Sequence, residues 1–180
     1  KIRVAEKLDQ FGVDYIEGGW PGANPIDSEF FDSNPVLRST FTAFGMTKRS
    51  GRSAENDDAL NAVVNAATPA VCLVGKSHDF HVKTALGISL AENTENIARS
   101  IEYLVARGRE ALFDAEHFFD GYKANPAYAL QTVHAAYEAG ARWIVLCDTN
   151  GGVLPAEVGE IVHQVIASGI AGTRLGIHTH

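Results

Sequence analysis

Short apolar runs alternate with longer amphipathic stretches six times along this chain, and that alternation limits its fold more than any other feature. The runs Val13–Glu17, Ser39–Phe44, Ala70–Val74, Ala111–Ala115, Trp143–Cys147 and Arg174–His178 have strand length. Several are almost continuously apolar, as strands covered on both faces are. Between them, apolar residues recur at three- and four-residue spacing, the period of an amphipathic helix. Helices are predicted over Lys1–Phe11, Asp27–Asp32, Asp57–Ala66, Glu92–Ala106, Pro126–Ala139 and Pro155–Ala167, with a short helical turn near Asp79–Ala85. Gly12 is placed to end the first helix, and Pro155 to begin the last.

No successive strands are joined by two-residue turns, so a β-sandwich is excluded and a parallel α/β fold remains. A dinucleotide-binding open sheet wants Gly-x-Gly-x-x-Gly after its first strand. Here that strand runs into Glu17-Gly18-Gly19-Trp20-Pro21-Gly22, which lacks the spacing, and Pro21 breaks the helix start that would hold a pyrophosphate. The strand ends favour a barrel instead. Five of them close on Glu17, Lys76-Ser77-His78, Glu116-His117, Asp148-Thr149-Asn150 and His178-Thr179-His180, and Thr47-Lys48-Arg49 follows strand two. In a TIM barrel the chemistry gathers at that end of the strands. A complete (β/α)8 barrel has eight strands and about 250 residues. The expectation is therefore an α/β chain of 180 residues forming one partial TIM-barrel domain over residues 1–180, truncated at both ends and lacking the first and last strands.

The 15 Lys and Arg residues against 22 Asp and Glu give a net charge of -7 without a basic cluster, which argues against nucleic acid and anionic membranes as partners. No apolar run is long enough to cross a bilayer and no leader pattern is visible. The 2 cysteines, Cys72 and Cys147, sit inside apolar runs and read as small core residues. With no disulfide framework, a reducing cytoplasm is the expected setting.

Alternate residues of a strand point to one side, so His178 and His180 can share one metal ion, and neutral imidazole suits a divalent ion such as Zn or Mn. Two unrelated histidines on a polar strand end are the plainer alternative. A catalytic metal usually has three protein ligands. Glu17, Glu116 or Asp148 could supply the third, or it lies outside this sequence. Glu116 sits among Ala115, Phe118 and Phe119, where apolar neighbours raise a carboxyl pKa and suit it to acid/base work; Asp114, two residues earlier, shares its side. Thr149 offers a hydroxyl beside Gly151, which permits close backbone approach. His81, in Ser77-His78-Asp79-Phe80-His81, could hydrogen-bond a carboxylate, and Arg49 with Lys48 could meet an anionic substrate. Glu17, Arg49 and Asp148 are the candidate substrate-binding residues. Each of these also reads as an ordinary capping or solvated group.

Taken in order, Ile16-Glu17-Gly18-Gly19-Trp20-Pro21, Ser77-His78-Asp79-Phe80-His81-Val82, Glu116, Asp148-Thr149-Asn150-Gly151 and His178-Thr179-His180 resemble the DRE-TIM metallolyases, a group holding the 2-isopropylmalate, homocitrate and citramalate synthases and hydroxymethylglutaryl-CoA lyase. The resemblance covers essentially the whole chain. Gly18–Gly22, Asp114–Lys123 and Leu146–Gly152 are most similar to the citramalate synthases. It implies a TIM barrel that binds a divalent metal (Zn, Mn or Mg) and uses acetyl-CoA as co-substrate. The implied acyl transfer joins the acetyl group to a 2-oxo acid, with pyruvate first among the acids. It assigns His178 and His180 as metal ligands, Glu116 and Thr149 to the reacting centre, and His81 to substrate contact. Small-molecule substrates and a homodimer are the implied partners. The family's first strand, with adjacent Arg and Asp, is not in this sequence, and neither is the Asn that follows the His-x-His strand. Residues 1–180 alone are therefore expected to be inactive. The competing readings are a sister synthase, a carbon–carbon lyase, and a catalytically incompetent barrel fragment.

Overall fold

A computed structural model describes residues 1–180. Ten residues of helix α1 (Ile2–Phe11) lead through Gly12, in the left-handed conformation at φ 90°, into strand β1 (Tyr15–Glu17). Then follow α2 (Pro25–Asp32), β2 (Thr40–Met46), α3 (Asp58–Asn65), β3 (Ala70–Lys76), α4 (Asp79–His81) with a π-helical turn over Val82–Leu86, and α5 (Leu90–Ala106). The chain ends with β4 (Glu110–Glu116), α6 (Phe118–Ala124), α7 (Pro126–Glu138), β5 (Trp143–Asp148), α8 (Pro155–Ala167) and β6 (Leu175–Thr179). No helix is long and apolar enough to cross a membrane.

The six strands are parallel and lie in the order β1-β2-β3-β4-β5-β6. That sequential order belongs to a barrel, since a doubly wound sheet reverses direction at its first strand. The sheet also curls. Across the strands' N-terminal ends, Trp143 Nε1 on β5 donates to the hydroxyl of Tyr15 on β1 at 3.0 Å. A gap remains between β1 and β6, so the structure is an incomplete barrel.

Period two divides each strand between two environments. Val71, Leu73, Phe113, Ile144 and Leu146 point outward, are 0% exposed, and pack with Ile97, Leu104 and Val133 of the covering helices. Fully burying such a side chain contributes about 1.5–3 kcal/mol. The inward residues form a row across four strands, set by the pairs Phe44↔Cys72, Cys72↔Leu112 and Leu112↔Trp143. Side-chain caps start several helices: Asn24 accepts from Asp27 N, Asp57 from Leu60 N, Ser89 from Glu92 N and Asn125 from Tyr128 N. These caps place the starts of α2 and α5 two residues earlier than the apolar spacing alone suggests.

Two further differences from the sequence expectation have clear causes. β2 to β5 each run one or two residues beyond their apolar runs, because the neighbouring strand still supplies a ladder; the pair Lys76↔Glu116 is one such extension. α6 was not anticipated at all, since Gly121 interrupts its pattern. A Cβ at Gly121 would overlap the carbonyl of Ser77, so the glycine lets α6 lie directly against the segment that carries His81.

Candidate active-site groove

A groove opens at the C-terminal ends of the strands and is continuous with the gap between β1 and β6. Glu17, Asp114, Glu116, Thr149, His178 and His180 line it, with Val4 and Leu8 of α1 as its apolar wall. The inward parity explains the membership. Residues 114 and 116 of β4 share one side, as do 147 and 149 at the end of β5, and Cys147 pairs with His178 in the register.

His178 and His180 are exposed, with ring centroids 4.8 Å apart and planes inclined at 34°. Asp114 Oδ2 lies 3.9 Å from His178 Nδ1. The ligand atoms of Asp114, Cys147 and His178 all fall within 4.8 Å of one another. Two imidazoles on one side of a strand end beside a carboxylate form a donor set that fits a divalent ion such as Zn or Mn. Asp114 stands beside His178, with its side chain 14% exposed, while His180 lies outside the cluster that Asp114 and Cys147 make with His178.

Burial raises the pKa of Asp114 above the usual carboxylate range, against the opposing pulls of the Cys72 thiol and His178. Glu17 is raised for the same first reason and then by the charge of Asp114. The thiol of Cys72 lies between these two carboxyls, and burial followed by their charges pushes it well above its ordinary value. Cys147 is raised too, by burial and then by Asp114, Glu116 and Glu17. Both cysteines are buried free thiols; Cys147 also lines the groove, while Cys72 packs with Ala70 and Leu112. The alternation that put Asp114 and Glu116 on one side was the signal available for this, and it was masked by the apolar neighbours of each cysteine.

The surroundings of Glu116 differ from those expected. Phe118 and Phe119 turn away into the core at 0% exposure, and Lys76 Nζ stands 2.5 Å from Glu116 Oε2. The turn occurs at His117, whose φ of 55° is left-handed. Its backbone N–H donates to Thr149 Oγ1 at 2.9 Å, which ties the ends of β4 and β5 together. Gly151 follows, and a Cβ there would meet the His180 carbonyl oxygen at 2.7 Å, so the loop after β5 runs directly beside the His-x-His strand.

His81 stands on α4 near Glu116 and outside the groove lining. Its ring meets that of His117 edge-on, centroids 4.3 Å apart, and lies 4.9 Å from that of His78. The remaining two candidates are placed elsewhere. Asp148 has the outward parity of β5 and is buried at 4% exposure, where its carboxylate accepts from the amides of Gly152 and Val153 at 3.3 and 3.1 Å. It shapes the loop that carries Thr149. Arg49 lines a second cavity with Lys48 and Asn96, and its backbone N–H donates to Asp57 Oδ2 at 2.8 Å.

(R)-citramalate synthase of Geobacter sulfurreducens is 50% identical over 183 residues, a match covering 100% of this chain and 34% of that protein. The enzyme of the same name from Aquifex aeolicus is 49% identical over 183 residues, with the same shares. 2-Isopropylmalate synthase of Syntrophus aciditrophicus is 27% identical, covering 100% of this chain and 34% of that protein. The chain thus spans about a third of the length of these relatives. The crystal structure of the HMG-CoA lyase from Brucella melitensis superposes with a TM-score of 0.77 at 17% identity, covering 99% of this chain and 63% of that one, a likeness of fold. The family model described as HMGL-like matches residues 1–180, and the chain belongs to that family.

Proposed function

We propose that this chain carries the reacting mouth of an acyltransferase that condenses acetyl-CoA with pyruvate to give citramalate and CoA. The observation that carries the reading is the convergence of Glu116, Thr149, His178 and His180 on one groove, at the ends of three successive strands. The relatives support the choice of acid. Five named (R)-citramalate synthases are 46–50% identical to this chain, against 24–28% for those named as 2-isopropylmalate synthases.

His178 and His180 are the residues that would hold a divalent metal (Zn, Mn or Mg), which when bound supplies a Lewis acid for the carbonyl of the oxo acid. Lys76 pairs with the Glu116 carboxylate, and in this reading that carboxylate accepts a proton from the methyl carbon of the acetyl group. The carbon left with that electron pair forms the new bond to the oxo carbon, and the former carbonyl oxygen takes up a proton to become the product hydroxyl. Water then cleaves the thioester and CoA leaves as the thiol. Thr149, held by the His117 amide, presents its hydroxyl to the groove, and gathering both substrates there removes much of the entropic barrier. Burial first, then the neighbouring His117, His78 and Lys76, lowers the pKa of His81, so near neutral pH it is a neutral hydrogen-bonding group. In this reading the enzyme works as a homodimer on small-molecule substrates.

The test is CoA thiol release by the full-length protein. Pyruvate should support faster release than 2-oxoisovalerate or 2-oxoglutarate. Preference for either larger acid would move the protein to a sister synthase, and no release with any acid would overturn the reading.

A further inference from the structure

Two costs meet at His117, a residue that the mechanism above uses only through its backbone. Its left-handed φ of 55° is strained for a non-glycine residue. Its Nδ1 is buried with no hydrogen-bond partner, at 4.0 Å from Asp120 Oδ2, which is unfavourable for a polar atom. Glycine or asparagine would adopt this backbone with less strain and would keep the N–H that holds Thr149. What histidine alone adds is the ring, and the ring stands edge-on against His81.

Two contacts tie down the surroundings. Gly121 seats α6 against Ser77 and His78, at the start of the turn that carries His81. Asn150 Nδ2 donates to Asp120 Oδ2, a second tie between α6 and the loop after β5. His117 therefore sits at the junction of three segments: the end of β4, the loop after β5 and α4.

We propose that His117 is a positioning residue, whose amide fixes the Thr149 hydroxyl and whose ring holds His81 in place beside Glu116. The proposal rests on the function assigned above and deepens it. The groups facing His81 are the His117 and His78 imidazoles, the Lys76 ammonium and the Glu116 carboxylate. The ring of His117 contributes both to the burial of His81 and to the charge around it, so its loss should be felt in His81's titration.

The experiment uses the full-length protein with His117→Asn, which keeps the left-handed backbone and the amide, and His117→Gly as a second variant. Turnover is followed against pH, and the His81 ring is titrated by NMR on histidine-labelled protein, its signal assigned with His81→Gln. The expected result is a fall in kcat of roughly ten- to a hundred-fold, as for a reacting group displaced by a fraction of an ångström to an ångström. KM for the oxo acid should change little, and the His81 titration and the acid limb of the pH profile should both move upward. Folded variants with an unmoved His81 titration and an unmoved pH profile would overturn the proposal, as would a chain that cannot fold with either residue. If the wild-type protein releases no CoA, the assigned function fails, while the His81 titration still reads the positioning role.

Discussion

The two ends of the same six strands treat inward polar groups in opposite ways. At the N-terminal end, the Tyr15 hydroxyl donates to Glu110 and accepts from Trp143 Nε1, so three strands satisfy one another and tie off the floor. At the C-terminal end, Glu17, Asp114, Glu116, His178 and His180 turn into one groove, where Glu17 and Asp114 are pushed toward protonation. The floor spends its polar groups on stability. The mouth leaves them available to a ligand, as barrel enzymes do at this face.

The largest expected effect breaks the mouth without touching the floor. Glu116→Gln keeps the side-chain shape but gives up the ion pair with Lys76, so the full-length protein should fold with a modest loss of stability and lose turnover by a factor on the order of a hundred or more, about 2.7 kcal/mol of barrier. Wild-type turnover in that variant would transfer the role to Asp114 or to a group beyond this sequence. The converse change is Tyr15→Phe. It strips the donor from Glu110 and the acceptor from Trp143, and a chemical denaturation curve should show a loss of about 1–3 kcal/mol, with turnover per folded molecule unchanged. A loss of turnover beyond the loss of fold would show that the floor is coupled to the mouth.

The smallest effect sharpens the contrast through pH. Glu17 has a folded pKa above its unfolded one, so its contribution to stability is full below the unfolded value and is lost as pH rises through the folded value. Glu17→Gln should then stabilise the metal-free protein at neutral pH, by no more than about half a kcal/mol because water reaches the carboxyl, and the gain should vanish in acid. Denaturation midpoints at neutral and acidic pH measure it, and destabilisation at neutral pH would contradict the sign.

The mouth was legible in the sequence where strand parity and strand ends coincide. Glu17 and His178 end apolar runs, Glu116 and His180 stand just beyond them, the period fixes the side of all four, and the structure gathers them. Asp148 shows the same rule read incompletely: one position beyond Cys147, it takes the outward parity and turns to the Gly152 and Val153 amides. Three things depend on tertiary context and left no local trace. The left-handed backbone at His117 sends Phe118 and Phe119 into the core although the sequence places them beside Glu116. The Lys76–Glu116 pair depends on the register between β3 and β4. The α6 helix is hidden by Gly121, a residue required by the Ser77 carbonyl rather than by the helix.

If the inward strand ends form a metal-dependent site, the metal content of the full-length protein will report it. The wild-type protein should retain a divalent ion through purification, and His178→Ala and His180→Ala should each lose that ion together with metal-dependent turnover while remaining folded. Both variants keeping wild-type metal content and activity would contradict the account.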